Sequence, residues 1–268
     1  MSENHEQFAP PAEPPPRDTL APEPWTYRDL VLFLVAVVVV ILGSNVVALA
    51  IYAALRPVVG WRPTPEAITH NTFFLLATQF LAYILLFAYI YFLVVVHYRM
   101  RFWNGIRWGR LTRMRVLHYI GAGILITIAV QVIPVFLPDK THFPLQRLFS
   151  SQAASIAVAV FAVVIAPFME ELIFRGVLFS IFEVHAGLGF AIGITAVLFA
   201  AMHIPEYWGA WDHVFLIFLV GLAFSITRGV TRSLAPSVVM HVTYNACLMI
   251  GLLAVSSQFR AVQSLLAR

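Results

Sequence analysis

The chain has 268 residues, 60% of them hydrophobic and 11% charged, with a mean hydropathy of +0.84. A soluble domain must cover its core with charged surface, so this composition excludes cytosolic, collagen-like and disulfide-stapled proteins and points to an integral membrane protein. The formal charge of +4 comes from 17 basic and 13 acidic residues, and the single cysteine, Cys247, has no partner in the chain.

Residues 1–28 carry seven of the 16 prolines and five acids with almost nothing apolar to bury, which predicts a disordered Pro-rich tail. A cleavable signal peptide would instead place a short apolar core near its start. Apolar runs then follow at about 30–55, 72–96, 116–137, 153–181, 187–203, 213–227 and 234–255. Each is read as a crossing of the roughly 30 Å hydrocarbon layer. The expected fold class is all-α, a polytopic membrane helical bundle of about seven transmembrane helices over residues 29–268. All six tryptophans (Trp25, Trp61, Trp103, Trp108, Trp208 and Trp211) fall between the runs, as interfacial indoles do.

Between the second and third runs lie Arg99, Arg101, Arg107, Arg110, Arg113 and Arg115, with no acid among them and with Phe102, Trp103 and Trp108 interleaved. In a connector between spans this pattern reads as a cytoplasmic loop on anionic headgroups; no nucleic acid is expected as a partner. That places the N-terminus and the Arg228/Arg232 turn in the cytoplasm and the Lys140/Arg147 connector outside. No internal repeat of the kind found in many secondary transporters is visible.

Asn45, Gln79, Thr127 and Gln131 are uncharged and scattered, and are expected to make interhelical hydrogen bonds. His97 and His118 fall at helix ends beside the Arg-rich loop and stay outside the site. The fourth run differs: Ala166-Pro167-Phe168-Met169-Glu170-Glu171-Leu172-Ile173-Phe174-Arg175-Gly176 puts three formal charges within six residues of an apolar span. A charge at membrane depth costs roughly 2.5–3.5 kcal/mol on insertion scales, so function is the default reading. On a helix Glu171 and Arg175 share a face and can neutralise each other, whereas Glu170 points about 100° away and is free to face a cavity. One buried ion network holding helices together is the competing structural reading.

The fifth run ends at His203, and the seventh carries His241 and Asn245 at four-residue spacing. Counted from a turn at Ala186, Glu170 and His203 both lie about 24–26 Å deep; counted from a turn near Thr231, Asn245 lies about 21 Å deep and His241 one helical turn shallower. The four groups are therefore expected to line one cavity.

Glu-Glu-x-x-x-Arg, then Phe-x-x-x-His, then His-x-x-x-Asn, each in or at the end of an apolar helix, resembles the CPBP family of intramembrane proteases. That family comprises the type II CAAX prenyl endopeptidases and the bacterial Abi and bacteriocin-processing proteins. The match covers about residues 153–255, the catalytic core of the family. The resemblance implies an intramembrane endopeptidase in which Glu170 and His203 activate water, His241 and Asn245 stabilise the oxyanion, and Glu171 and Arg175 support the site. It also raises a zinc ion, for which Glu170, His203 and His241 are the candidate ligands; Asn245 is a poor zinc ligand and a glutamate/histidine pair activates water unaided. Membrane lipid and a protein or peptide substrate are the implied partners, and a bacterial plasma membrane, suggested by the preference for Arg over Lys, the implied location. No zincin motif or Gly-x-Ser nucleophile occurs in a span. A non-catalytic scaffold or immunity protein of the same fold and a proton-coupled transporter are the alternatives.

Overall fold

The computed structural model describes residues 25–59, 64, 68–133 and 148–255. The expected tail up to residue 24, Trp61 and the Lys140/Arg147 connector lie outside the described residues. Among the described residues the chain is helical without strands: α1 (Tyr27–Val59), α2 (Thr72–Tyr91), the short α3 (Phe102–Gly105), α4 (Arg113–Val132), α5 (Gln152–Val160), α6 (Ala166–Glu171), α7 (Phe179–Met202), α8 (Trp211–Thr231) and α9 (Leu234–Val255). Three π-helical stretches interrupt them: π1 (Phe92–His97) after α2, π2 (Phe161–Ile165) between α5 and α6, and π3 (Leu172–Leu178) between α6 and α7.

Polar side chains fix where the helices begin. Asn71 Oδ1 accepts from the Phe73 and Phe74 amides, Thr112 from Arg115, and Ser151 from Ala154, each satisfying an amide that the first turn leaves without a partner. Thr26 and Asp29 exchange side-chain-to-amide bonds at the start of α1, and the Tyr98 hydroxyl also donates to Asp29. Trp25, expected in the tail, is instead buried at 3% exposure, edge-on to Tyr98. Trp25 thus packs on the Tyr98 ring and anchors the start of α1.

Six helical stretches are long and apolar enough to cross a bilayer. The fourth, Gln152–Met202, has 51 residues and would reach about 76 Å if straight, more than twice the hydrocarbon thickness. It folds at Gly187, whose φ of 83° lies in the left-handed region that glycine enters without a Cβ clash. Phe182 meets Phe190 and Phe174 meets Phe199 across this bend, pairs almost symmetric about Gly187, so the stretch is a helical hairpin. Its two arms are the fourth and fifth runs expected from the sequence. Residues 188–202 extend only about 22 Å, less than the roughly 30 Å hydrocarbon layer.

The Arg-rich connector, expected to lie on headgroups, also packs against the helices. Phe102 and Ile106 are buried, the Leu234 amide donates to the Arg107 carbonyl at 2.9 Å, and Arg107 reaches Glu183 at 3.7 Å. Arg99, Arg101, Arg110, Arg113 and Arg115 remain exposed. α4 lies tightly against α9 through Gly123, where a Cβ would stand 2.7 Å from the Met240 carbonyl oxygen and 2.8 Å from Thr243 Cβ. Thr127 bonds its own helix at Gly123 and reaches Tyr244 across the interface. Asn45, expected to bridge helices, bonds Ile41 one turn back on α1.

Candidate active site

The charged motif sits on a helix whose hydrogen-bond ladder is twice shifted. The Ala166 amide donates five residues back to the Phe161 carbonyl. The next donor in that π register would be residue 167, to the Ala162 carbonyl, but Pro167 has no N–H. Asn245 fills the vacancy, its Nδ2 lying 2.8 Å from the Ala162 oxygen. At the end of π3 the Phe179 amide donates to the Phe174 carbonyl. The return from five- to four-residue spacing skips one carbonyl, and Arg228 Nε occupies the Arg175 oxygen at 3.1 Å. The Arg228 guanidinium also reaches Ser180 Oγ at 3.3 Å and lies over the Phe179 ring. Arg228, expected in a cytoplasmic turn, is fully buried.

Between these two repairs stands the charge cluster. Glu171 Oε1 accepts from Arg175 Nη1 at 2.9 Å and from His241 Nδ1 at 3.0 Å, and neither the Glu171 nor the Arg175 side chain has any exposure. Arg175 Nη2 donates to the Gly221 carbonyl at 2.7 Å and Nε to Ser225 Oγ at 3.3 Å, while its guanidinium lies over the Phe199 ring at 4.6 Å. Gly221 is required there, since a Cβ would approach Phe199 to 2.9 Å and Arg175 Nη2 to 3.4 Å. The His241 ring stacks on Phe224 at 4.7 Å and meets Phe199 edge-on.

Glu170 is held differently. Its Oε2 faces His241 Nε2 at 3.7 Å, its Oε1 lies 3.4 Å from the Tyr83 hydroxyl, and 12% of its side chain is exposed. Both separations exceed those of relaxed hydrogen bonds, so this carboxylate has room to engage another group. His203, the residue after α7, is partly buried; its Nδ1 donates to the Phe199 carbonyl at 2.9 Å, leaving Nε2 as an acceptor. His203 and Glu170 are not hydrogen-bonded to each other, and the Phe199 ring contacts both histidines.

The structure therefore brings Glu170, Glu171, Arg175 and His241 together and gives His203 and Asn245 different neighbours. The expected depths shift for one reason. Leu234, the first residue of α9, is buried and packs toward Gly176, about 16 Å along the arm from Gly187, so α9 starts deep. His241 thus reaches the level of the glutamates, and Asn245 lies one turn beyond, at Ala162. Among the described residues, no three His, Cys, Asp or Glu side chains stand in metal-binding geometry, so Glu170, His203 and His241 do not fit a zinc centre here.

Ser237, on the His241 face, is fully buried and donates to the Leu234 carbonyl. Sequence reasoning gave Tyr83, Arg228 and Ser225 no place in the site and met Phe199 only as the first residue of the Phe-x-x-x-His motif. For the first three, the signals were a tyrosine one turn after Gln79 in the second run and an arginine following Ser225 and Thr227.

Residues 152–247 match the Rce1-like family model, described as type II CAAX prenyl endopeptidase Rce1-like. That stretch contains all six candidate site residues. No curated protein and no solved structure matches the chain.

Proposed function

We propose that this integral membrane protein, whose residues 152–247 match the Rce1-like model of type II CAAX prenyl endopeptidases, hydrolyses a peptide bond with a water activated by Glu170. The observation that carries the reading is the contrast between the paired carboxyls: Glu171 is fully buried, with Oε1 held by contacts of 2.9 and 3.0 Å, whereas Glu170 keeps only contacts of 3.4 and 3.7 Å and partial exposure. One glutamate is structural, and the other is available.

In this mechanism Glu170 takes a proton from water as its oxygen attacks the scissile carbonyl carbon, and His203, with Nε2 unoccupied, orients that water. Charge develops on the carbonyl oxygen, where Asn245 donates through the amide hydrogen not used by Ala162 and His241, its Nδ1–H held by Glu171, donates through Nε2–H in its doubly protonated form. Glu171 fixes the His241 ring through Nδ1, as a carboxylate does for a catalytic imidazole. Collapse breaks the C–N bond, and the proton held by Glu170 passes to the departing amine. No covalent acyl-enzyme forms. Ser237 is sealed in, and Cys247 is about 200° around α9 from Asn245.

The proposal places the N-terminus in the cytoplasm of a bacterial cell, with a membrane-anchored protein or peptide as substrate. Comparing the membrane proteomes of cells carrying the wild type and Glu170→Gln tests it. Substrate fragments present only with the wild type are the expected result, whereas a transporter would lose flux and a scaffold would lose nothing. Identical proteomes would reject the protease.

A further inference from the structure

Tyr83 lies on α2, outside the family-matched stretch, yet its side chain reaches the motif glutamate left open by the charge cluster. The residue is buried at 8% exposure, and its ring stacks on Phe161 at 5.7 Å with the planes only 6° apart. Phe161 opens π2, the same stretch whose freed carbonyl holds Asn245. Along α2, Leu86 and Ile90 continue the buried stripe at three- and four-residue steps, so this face of the helix is locked against the core. The hydroxyl, which also bonds the Gln79 side chain one turn back on α2, is aimed at Glu170 Oε1.

The two Glu170 oxygens thus have separate neighbours from separate helices, Tyr83 on one side and His241 on the other. A carboxylate serving as a base must present one oxygen to water in a fixed direction, and a misplacement of about 1 Å can cost 100-fold in rate. Catalytic hydrogen bonds in unliganded sites are commonly long and tighten when substrate binds, which fits the 3.4 Å separation.

We propose that Tyr83 is a positioning residue for hydrolysis, holding Glu170 Oε1 so that Oε2 is presented toward water and His241. The inference rests on the reading of Glu170 as the base. It extends the working site beyond residues 152–247, since α2 supplies a group that the matched stretch lacks.

The test uses the full-length protein in lipid vesicles with Tyr83→Phe, which keeps the ring on Phe161 and removes only the hydroxyl. Two quantities are measured: kcat and KM for a cleaved membrane peptide, and the infrared carboxyl band of Glu170, identified by its loss in Glu170→Gln. The expected result is a displaced band together with kcat lowered about 10- to 100-fold at unchanged KM and unchanged melting temperature. An undisplaced band and wild-type kcat in Tyr83→Phe would overturn the positioning role while leaving the protease intact. A loss of kcat matched by an equal fall in melting temperature would make Tyr83 a packing residue and overturn it too. A displaced band in a protein that cleaves nothing would remove the hydrolytic reading and the role of Tyr83 together.

Discussion

Replacing Arg175 with alanine should unfold the protein more readily than any change at Glu170. At 2.9 Å the Arg175–Glu171 attraction is about 6 kcal/mol at an effective dielectric of about 20, before the cost of burying both charges. Removing one partner of such a pair typically costs about 3–5 kcal/mol, because the other charge stays buried. The alanine also abandons the Gly221 carbonyl, Ser225 Oγ and the Phe199 face. Against a total stability of roughly 5–15 kcal/mol, that is a third or more in many cases. Glu170→Gln preserves shape and gives up only the contacts at 3.4 and 3.7 Å, so its cost should stay within about 1 kcal/mol. Purified variants heated in detergent, with the monodisperse fraction followed by size exclusion, should show Arg175→Ala melting well below Glu170→Gln. Equal melting of the two, or an Arg175→Ala variant as stable as wild type, would refute the division into one structural and one working carboxylate.

Asn245→Ala should orphan the Ala162 carbonyl and cost about 1–3 kcal/mol, and adding Pro167→Ala should recover part of it by restoring a backbone donor. A melting-temperature cycle showing strict additivity would sink this account of the Asn245 contact. Gly123→Ala forces a Cβ against the Met240 carbonyl and should destabilise the α4–α9 contact, whereas Gly121→Ala on the same helix meets nothing within 4 Å and should be neutral or stabilising. Equal effects at the two glycines would show that α4 does not pack as described. Burial, followed by the hydrogen bond to Asp29, pushes the Tyr98 phenol above its ordinary value of 10.0. The folded state therefore binds that proton more tightly, and stability present below pH 10 should fall as pH rises beyond it. Alkaline melts should show this loss in wild type and less of it in Tyr98→Phe; identical alkaline slopes would contradict it.

Hydropathy made the spans legible because lipid demands continuous apolar helices, and it located the hairpin bend within a residue of Gly187. The Glu171–Arg175 pair was legible from four-residue spacing and persists even though Arg175 lies in π3. The level of α9 was not, because a count from Thr231 cannot reveal that Leu234 is drawn in against Gly176. Nor was Asn245's partner. It depends on a π register meeting Pro167, and periodicity analysis assumes an uninterrupted α-helix. Arg228 looked like a headgroup-facing charge because only the skipped carbonyl of Arg175 explains its burial. Tyr83 required a contact between helices 87 residues apart, which no local pattern carries.

Purified wild type and Glu170→Gln, assayed side by side in vesicles with a membrane peptide substrate and mass-spectrometric detection of both products, decide whether Glu170 activates the water. Two fragments are expected from the wild type and none from Glu170→Gln, with both proteins melting within a few degrees of each other. Cleavage by a well-folded Glu170→Gln at the wild-type rate would contradict that role.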